Sequence, residues 1–240
     1  MAREHMNSAA HKNAKWHRFG TSAALVSALS ERIAAALAGA VAQRGSATLA
    51  VSGGRTPRAL FRTLSQMATP WEHVTVTLVD ERFVRPEHER SNEKLVRECL
   101  LQNRAAAAKF VPLFRSGLRV EDAAKAAGAD IGALPLPFDV VVLGMGSDGH
   151  TASFFPDAAD IEALYANDAG NAVLPVSAES ADEPRLTLAA QLIAGANLLV
   201  LHTEGEERRS ILVSALSEGR LPVARVLQLS ATQPQIYWAA

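Results

Sequence analysis

At 240 residues with 48% hydrophobic and 20% charged content, the chain can bury one sizeable core and is short for two independent domains. Twenty-four basic and 25 acidic residues leave a formal charge of −1, which excludes the basic field that nucleic acid or an anionic membrane would need and leaves small-molecule chemistry as the default. Cys99 is the only cysteine, so an internal disulfide framework and a cysteine-based zinc cluster are excluded and a reducing cytoplasm fits.

Residues 1–15 are polar, lack an apolar signal-peptide core and read as a loose extension ahead of a single α/β domain over 16–240. No stretch is expected to approach the roughly 20 apolar residues that span a bilayer. Thr21 or Ser22 caps a long helix with the stripe Leu25, Leu29, Ile33, Leu37, Val41, closed at Arg44 by Gly45. Thr48 to Val51 reads as a strand leading through Ser52-Gly53-Gly54 into a helix near Pro57. Val74 to Val79 alternates as a strand does and ends at Asp80-Glu81-Arg82. A helix follows near Asn92 to Leu101, then a strand around Phe110 to Leu113 and an alanine-rich helix near Glu121 to Ile131.

Phe138 to Leu143 and Leu198 to Leu201 are apolar runs without alternation, as central strands covered on both faces require, and a helix starts near Glu206. Alternating strands and helices predict an α/β fold: a mainly parallel, Rossmann-like three-layer sheet with helices on both faces and room for a small second lobe.

The chemistry-bearing residues fall at strand ends. Ser52-Gly53-Gly54 before a helix start can cradle a phosphate, or can be a tight turn with glycines for steric reasons only. The G-x-x-x-x-G-K-[ST] loop is absent. Arg82 at the next rim can grip a phosphate or carboxylate in a two-pronged pair, or Asp80-Glu81-Arg82 can be a solvated loop.

Gly144-Met145-Gly146-Ser147-Asp148-Gly149 spells a dinucleotide fingerprint, but Pro156 denies the long helix that fingerprint requires. Asp168, near the right spacing for its acid, falls in a stretch from Tyr165 to Gly170 that reads as loop. What remains is a short helical turn presenting His150, suited either to general-base work or to packing, with Asp148 two residues before it. The other histidines show no metal-ligand spacing. Arg185 points into the site or into solvent, and Arg208 near a helix start fits an anion there or a surface pair with Glu204.

Taken together, Ser52-Gly53-Gly54, Asp80-Glu81-Arg82 with Ser91-Asn92, the segment Gly144 to Pro156, and Pro184-Arg185-Leu186-Thr187 resemble the 6-phosphogluconolactonase family, in order, from about Trp16 to the C-terminus. The resemblance implies a sheet shared with sugar-phosphate isomerases and makes 16–240 the catalytic domain. It implies hydrolysis of 6-phospho-D-glucono-1,5-lactone to 6-phospho-D-gluconate, the second step of the oxidative pentose phosphate pathway. His150 is then the base, with Asp148 and Asp80 orienting it, the water or sugar hydroxyls. Ser52, Gly53, Gly54, Arg82, Asn92, Gly146, Gly149, Arg185 and Arg208 bind substrate, with Ser52, Gly53, Gly54, Arg185 and Arg208 on the 6-phosphate.

No cofactor and no metal are implied. The one expected partner is a phosphorylated sugar lactone, with no nucleic acid or membrane, and the assembly is a monomer or homodimer. The sister deaminases that act on glucosamine 6-phosphate continue after Gly-His with Ile-Ala-Phe-Asn and carry an aromatic residue where Arg82 stands. Here Thr151-Ala152-Ser153-Phe154 follows, and both departures favour the lactonase. A non-catalytic sugar-phosphate sensor is the remaining alternative. The family commonly has lysine where Arg208 stands; a guanidinium keeps the charge but changes reach and geometry.

Overall fold

The stripe that begins at Leu25 folds as helix α1 (Ser22–Arg44), with Thr21 accepting a hydrogen bond from the Ala24 amide. Gly45, at φ +78°, closes it by donating its N–H to the Val41 carbonyl at 2.7 Å. The computed structural model describes residues 14–167 and 169–240. By length and composition α1 is able to cross a bilayer, contrary to the expectation that no stretch comes near this. Its apolar stripe is instead used internally: Leu25, Leu29, Ile33 and Leu37 are fully buried, while Glu31 and Arg32 face outward.

Seven strands form a wholly parallel sheet in the order β1 (Lys15–Phe19), β10 (Gln235–Ala239), β9 (Leu198–Glu204), β6 (Val140–Leu143), β2 (Ala47–Val51), β3 (Val74–Leu78), β5 (Lys109–Val111). Every residue of β2 and β6 is buried, which is why their sequences are apolar runs without alternation. Helices α2 (Pro57–Gln66), α3 (Asn92–Cys99), α4 (Val120–Gly132), α5 (Ile161–Ala166), α6 (Ala190–Ala194), α7 (Glu206–Glu218) and α8 (Pro222–Gln228) accompany α1 around it. Cys99 lies in the core.

The second lobe is a three-stranded antiparallel sheet, β4 (Asp80–Arg82), β8 (Arg185–Leu188), β7 (Val173–Val176). It grows directly out of β3: the Val79 amide donates to Val51 in the large sheet, and the Val79 carbonyl accepts from Leu188 in the small one. Asp80-Glu81-Arg82 is therefore a strand of a different sheet and not the frayed end of β3.

Lys15 also departs from expectation. It does not belong to a loose extension but pairs with Gln235 at the start of β1, and residues 1–13 of that extension lie outside the described residues. Tyr165 and Ala166, read as loop, close helix α5, and Asp168 falls outside the described residues.

The order of strands along the chain reverses between β2 and β6, which remain parallel: β3 and β5 follow on one side, β9 and β10 on the other. In open parallel sheets a crevice forms at such a switch point, beyond the carboxyl ends of the two strands. Ser52 and Gly144, the residues just past β2 and β6, stand there.

Candidate active site

Ser52 ties the two strand ends together. Its amide donates to Val142 at 2.9 Å, and its hydroxyl accepts the Gly144 N–H at 3.0 Å. The next two positions require glycine for different reasons. A Cβ on Gly53 would stand 1.8 Å from Asn92 Oδ1, and Gly54 adopts φ +92°. The turn delivers Arg55 and Thr56 to the N-terminus of the ten-residue helix α2, where free backbone amides and the helix dipole favour an anion. Residues 52–57 form one wall of a cavity of about 760 Å³, counting its open mouth.

The facing wall comes from the small sheet. Alternation along β4 gives Asp80 and Arg82 to the cavity and turns Glu81 away from it. Glu81 is fully buried and accepts from the amides of Arg82, Asn92 and Glu93, each at 2.7 Å, and from the Ser91 hydroxyl at 3.0 Å. It thereby caps α3 and sets Asn92, whose amide side chain donates to the Asp80 carbonyl at 2.9 Å.

Burial pushes the Glu81 carboxyl up to about 7, against the downward pull of those four hydrogen bonds. An acid whose folded-state value exceeds its unfolded value holds its proton in the folded protein, so its stabilising contribution is complete below about 4.5 and is lost as pH rises through about 7. Denaturant titrations should therefore show wild type losing roughly 2–3 kcal/mol more than Glu81→Gln between pH 5 and 8. Equal losses in the two proteins would remove Glu81 as the titrating group.

The loop after β6 is a closed turn and not the expected helical one. The Gly146 amide donates to the His150 carbonyl at 3.0 Å and the Gly149 amide to the Gly146 carbonyl at 3.1 Å, with Gly149 at φ +81°. Thr151 Oγ1 fastens the turn to the Gly144 carbonyl at 2.8 Å, and Ser153 Oγ fastens the following residues to Asp80 Oδ2 at 2.8 Å. No helix follows before α5, so the dinucleotide fingerprint lacks its helix.

Within this turn His150 Nδ1 lies 2.6 Å from Asp148 Oδ1, and the ring rests on Phe155 at a centroid distance of 4.7 Å. Partial burial raises the Asp148 carboxyl, but its hydrogen bonds and charge interaction with His150 outweigh this and hold it below the usual aspartate value. The carboxylate thus accepts a hydrogen bond from Nδ1–H and leaves Nε2 as the basic nitrogen, on a ring that is one-third exposed (33%) and lines the cavity.

Three arginines complete the lining. Arg82 donates to the Arg90 carbonyl. Arg185 is only 7% exposed, and burial lowers its proton affinity. Arg208, in the first turn of α7, reaches the Glu204 carbonyl at 3.5 Å while its Nε has no partner among the described residues.

Of the residues read from the sequence, Ser52, Gly53, Gly54, Asp80, Arg82 and Asn92 meet in this cavity, as do Gly146, His150, Arg185 and Arg208. Asp148 stands behind His150. Gly149 lies away from the cavity: its carbonyl accepts the Val223 amide, and an added Cβ would meet Leu221 at 2.7 Å. Its positive φ shapes the turn.

Sequence reasoning missed Glu81, Phe155 and His202. His202 extends β9 past its apolar run into the cavity lining and bonds Glu204, which in turn accepts from Ser22. A histidine continuing an apolar strand was the available signal.

The model of the glucosamine-6-phosphate isomerases/6-phosphogluconolactonase family matches residues 20–238. A 6-phosphogluconolactonase of Mesorhizobium japonicum is 48% identical over 240 residues, covering all of both chains. One of Rhizobium meliloti is 46% identical, covering 95% of this chain and 99% of its own. The crystal structure of a 6-phosphogluconolactonase from Shewanella baltica superposes with a TM-score of 0.91 at 39% identity, covering 95% of this chain and 99% of that one.

Proposed function

Because the chain belongs to the glucosamine-6-phosphate isomerase/6-phosphogluconolactonase family, we propose that it hydrolyses 6-phospho-D-glucono-1,5-lactone to 6-phospho-D-gluconate, as the names of its relatives indicate. The observation that carries this reading is the Asp148–His150 pair, with His150 lining a cavity that also holds the glycine turn at a helix N-terminus and three further arginines. A phosphorylated lactone needs a base at one end and a cationic cradle at the other.

In the proposed reaction His150 Nε2 takes a proton from a water molecule, and the water oxygen forms a bond to the lactone carbonyl carbon. The carbonyl electron pair moves onto oxygen as a tetrahedral oxyanion, which needs preorganised donors nearby. Collapse of that oxyanion breaks the bond to the ring oxygen. The ring oxygen leaves as a hydroxyl with the proton held by His150, and the new carboxylic acid ionises to water. Asp148 stabilises the imidazolium between the two transfers. The Ser52-Gly53-Gly54 turn and Arg208 hold the 6-phosphate, so binding energy remote from the carbonyl fixes its position. Cys99, the lone thiol, is buried and suits a reducing compartment, and we assign the reaction to the cytoplasm.

The test is 6-phosphogluconate formation coupled to its dehydrogenase, corrected for spontaneous ring opening, alongside ammonia release from glucosamine 6-phosphate. Acid formation above background without ammonia release is expected. Ammonia release would favour the deaminase, and ligand binding without turnover would favour a sensor.

A further inference from the structure

Arg82 and Arg185 stand directly opposite each other on the antiparallel strands β4 and β8, and both line the cavity. Like charges at facing positions repel, and the arrangement becomes favourable when an anion sits between them. Among the described residues no carboxylate forms an ion pair with Arg185, although Asp80 and Glu183 act favourably on its charge from a distance. Asp80 is engaged by Ser153, Glu183 pairs with Arg90, and the Arg185 Nε has no hydrogen-bond partner although the side chain is almost fully buried.

What holds Arg185 is the face of Phe155, 5.3 Å from its guanidinium carbon, and that same ring carries His150. The cation and the base therefore contact one aromatic ring. Arg208 sits elsewhere, beyond the end of β9, where it reaches the Glu204 carbonyl at 3.5 Å.

Resting on the lactonase reading, we infer that Arg185, opposite Arg82, receives the oxyanion during attack and the carboxylate of the opened acid afterwards, leaving the phosphate to residues 52–56 and Arg208. This moves Arg185 from the phosphate to the reacting end of the substrate. Lactone opening turns a neutral ester into a second anion, so a site that carries the reaction through needs a second cationic pocket, and a planar guanidinium matches a carboxylate in two-pronged fashion.

Calorimetric titration with 6-phosphogluconate and with glucitol 6-phosphate, which lacks the carboxylate, tests the assignment. Wild type should bind the acid roughly 10- to 100-fold more tightly than the alcohol, the range expected of a charge-assisted pair. Arg185→Gln should bring that ratio close to unity with alcohol affinity unchanged, whereas Arg208→Gln should weaken both ligands alike. Arg185→Lys keeps the buried charge but not the fork; it should fall between wild type and Arg185→Gln, and guards against loss of fold. Equal weakening of both ligands by Arg185→Gln, or an unaltered ratio, overturns the inference while leaving the lactonase reading intact if wild type still turns over the lactone. A wild type that binds neither ligand overturns both.

Discussion

His150→Ala should lower the background-corrected kcat/KM for the phosphorylated lactone by about 10²- to 10⁴-fold, the range a positioned general base supplies. The expectation rests on the 2.6 Å contact between Nδ1 and Asp148, which fixes the tautomer, and on the exposure of the ring to the cavity. Affinity for 6-phosphogluconate should change little, because the 52–57 turn and the arginines are untouched. Asp148→Asn should give a smaller loss in kcat with a similar KM, since an amide in place of the carboxylate destabilises the imidazolium and favours the wrong tautomer. The coupled assay with spontaneous hydrolysis subtracted decides the matter. A His150→Ala enzyme at full rate would sink the base assignment.

Gly146→Ala should reduce kcat by about 10²-fold or more, although the substitution adds one methyl group at a backbone conformation alanine tolerates. A Cβ at this position would lie 2.3 Å from His150 Cε1 and Nδ1 and 2.5 Å from Asp148 Oδ1. The backbone cannot relieve the clash, because the turn is closed by the hydrogen bond between Gly146 N and His150 O, so the two side chains must move. The methyl group must separate the Asp148–His150 pair or swing the imidazole away from the carbonyl, and a displacement of about 1 Å is enough to lose two orders of magnitude. Steady-state kinetics should show the loss in kcat with KM nearly unchanged, and the thermal midpoint should stay close to wild type because the turn is at the surface of the core. A variant with wild-type kcat would mean that the pair does not act in the geometry seen here.

Much of the candidate site was legible because its residues sit at breaks in apolar patterning. Ser52-Gly53-Gly54 follows the buried run of β2, and Gly144 to His150 follows that of β6; glycine and a histidine after such runs are visible without knowing what lies opposite. Pro156 was enough to deny the nucleotide reading, since a proline so close to the third glycine is incompatible with the required helix. Glu81 was not legible. Its role is to cap a helix eleven residues away, and nothing in the triplet Asp80-Glu81-Arg82 distinguishes a buried carboxylate with four donors from a solvated one. Strands β1 and β10 escaped for a related reason: they pair across 220 residues, and short segments such as Lys15–Phe19 carry little signal of their own.

By itself the sequence determined the central α/β framework, the two loops at the switch point and the placing of His150 in one of them, because burial periodicity and glycine and proline preferences are local properties of the chain. Only the tertiary structure decided which charges face one another. It opposed Arg82 to Arg185 across two strands about a hundred residues apart, seated Arg185 and His150 on one phenylalanine, and packed Gly149 against Leu221. Charge interactions and close approaches depend on distance in space, and strand register, which sets that distance, is fixed by packing across the whole sheet.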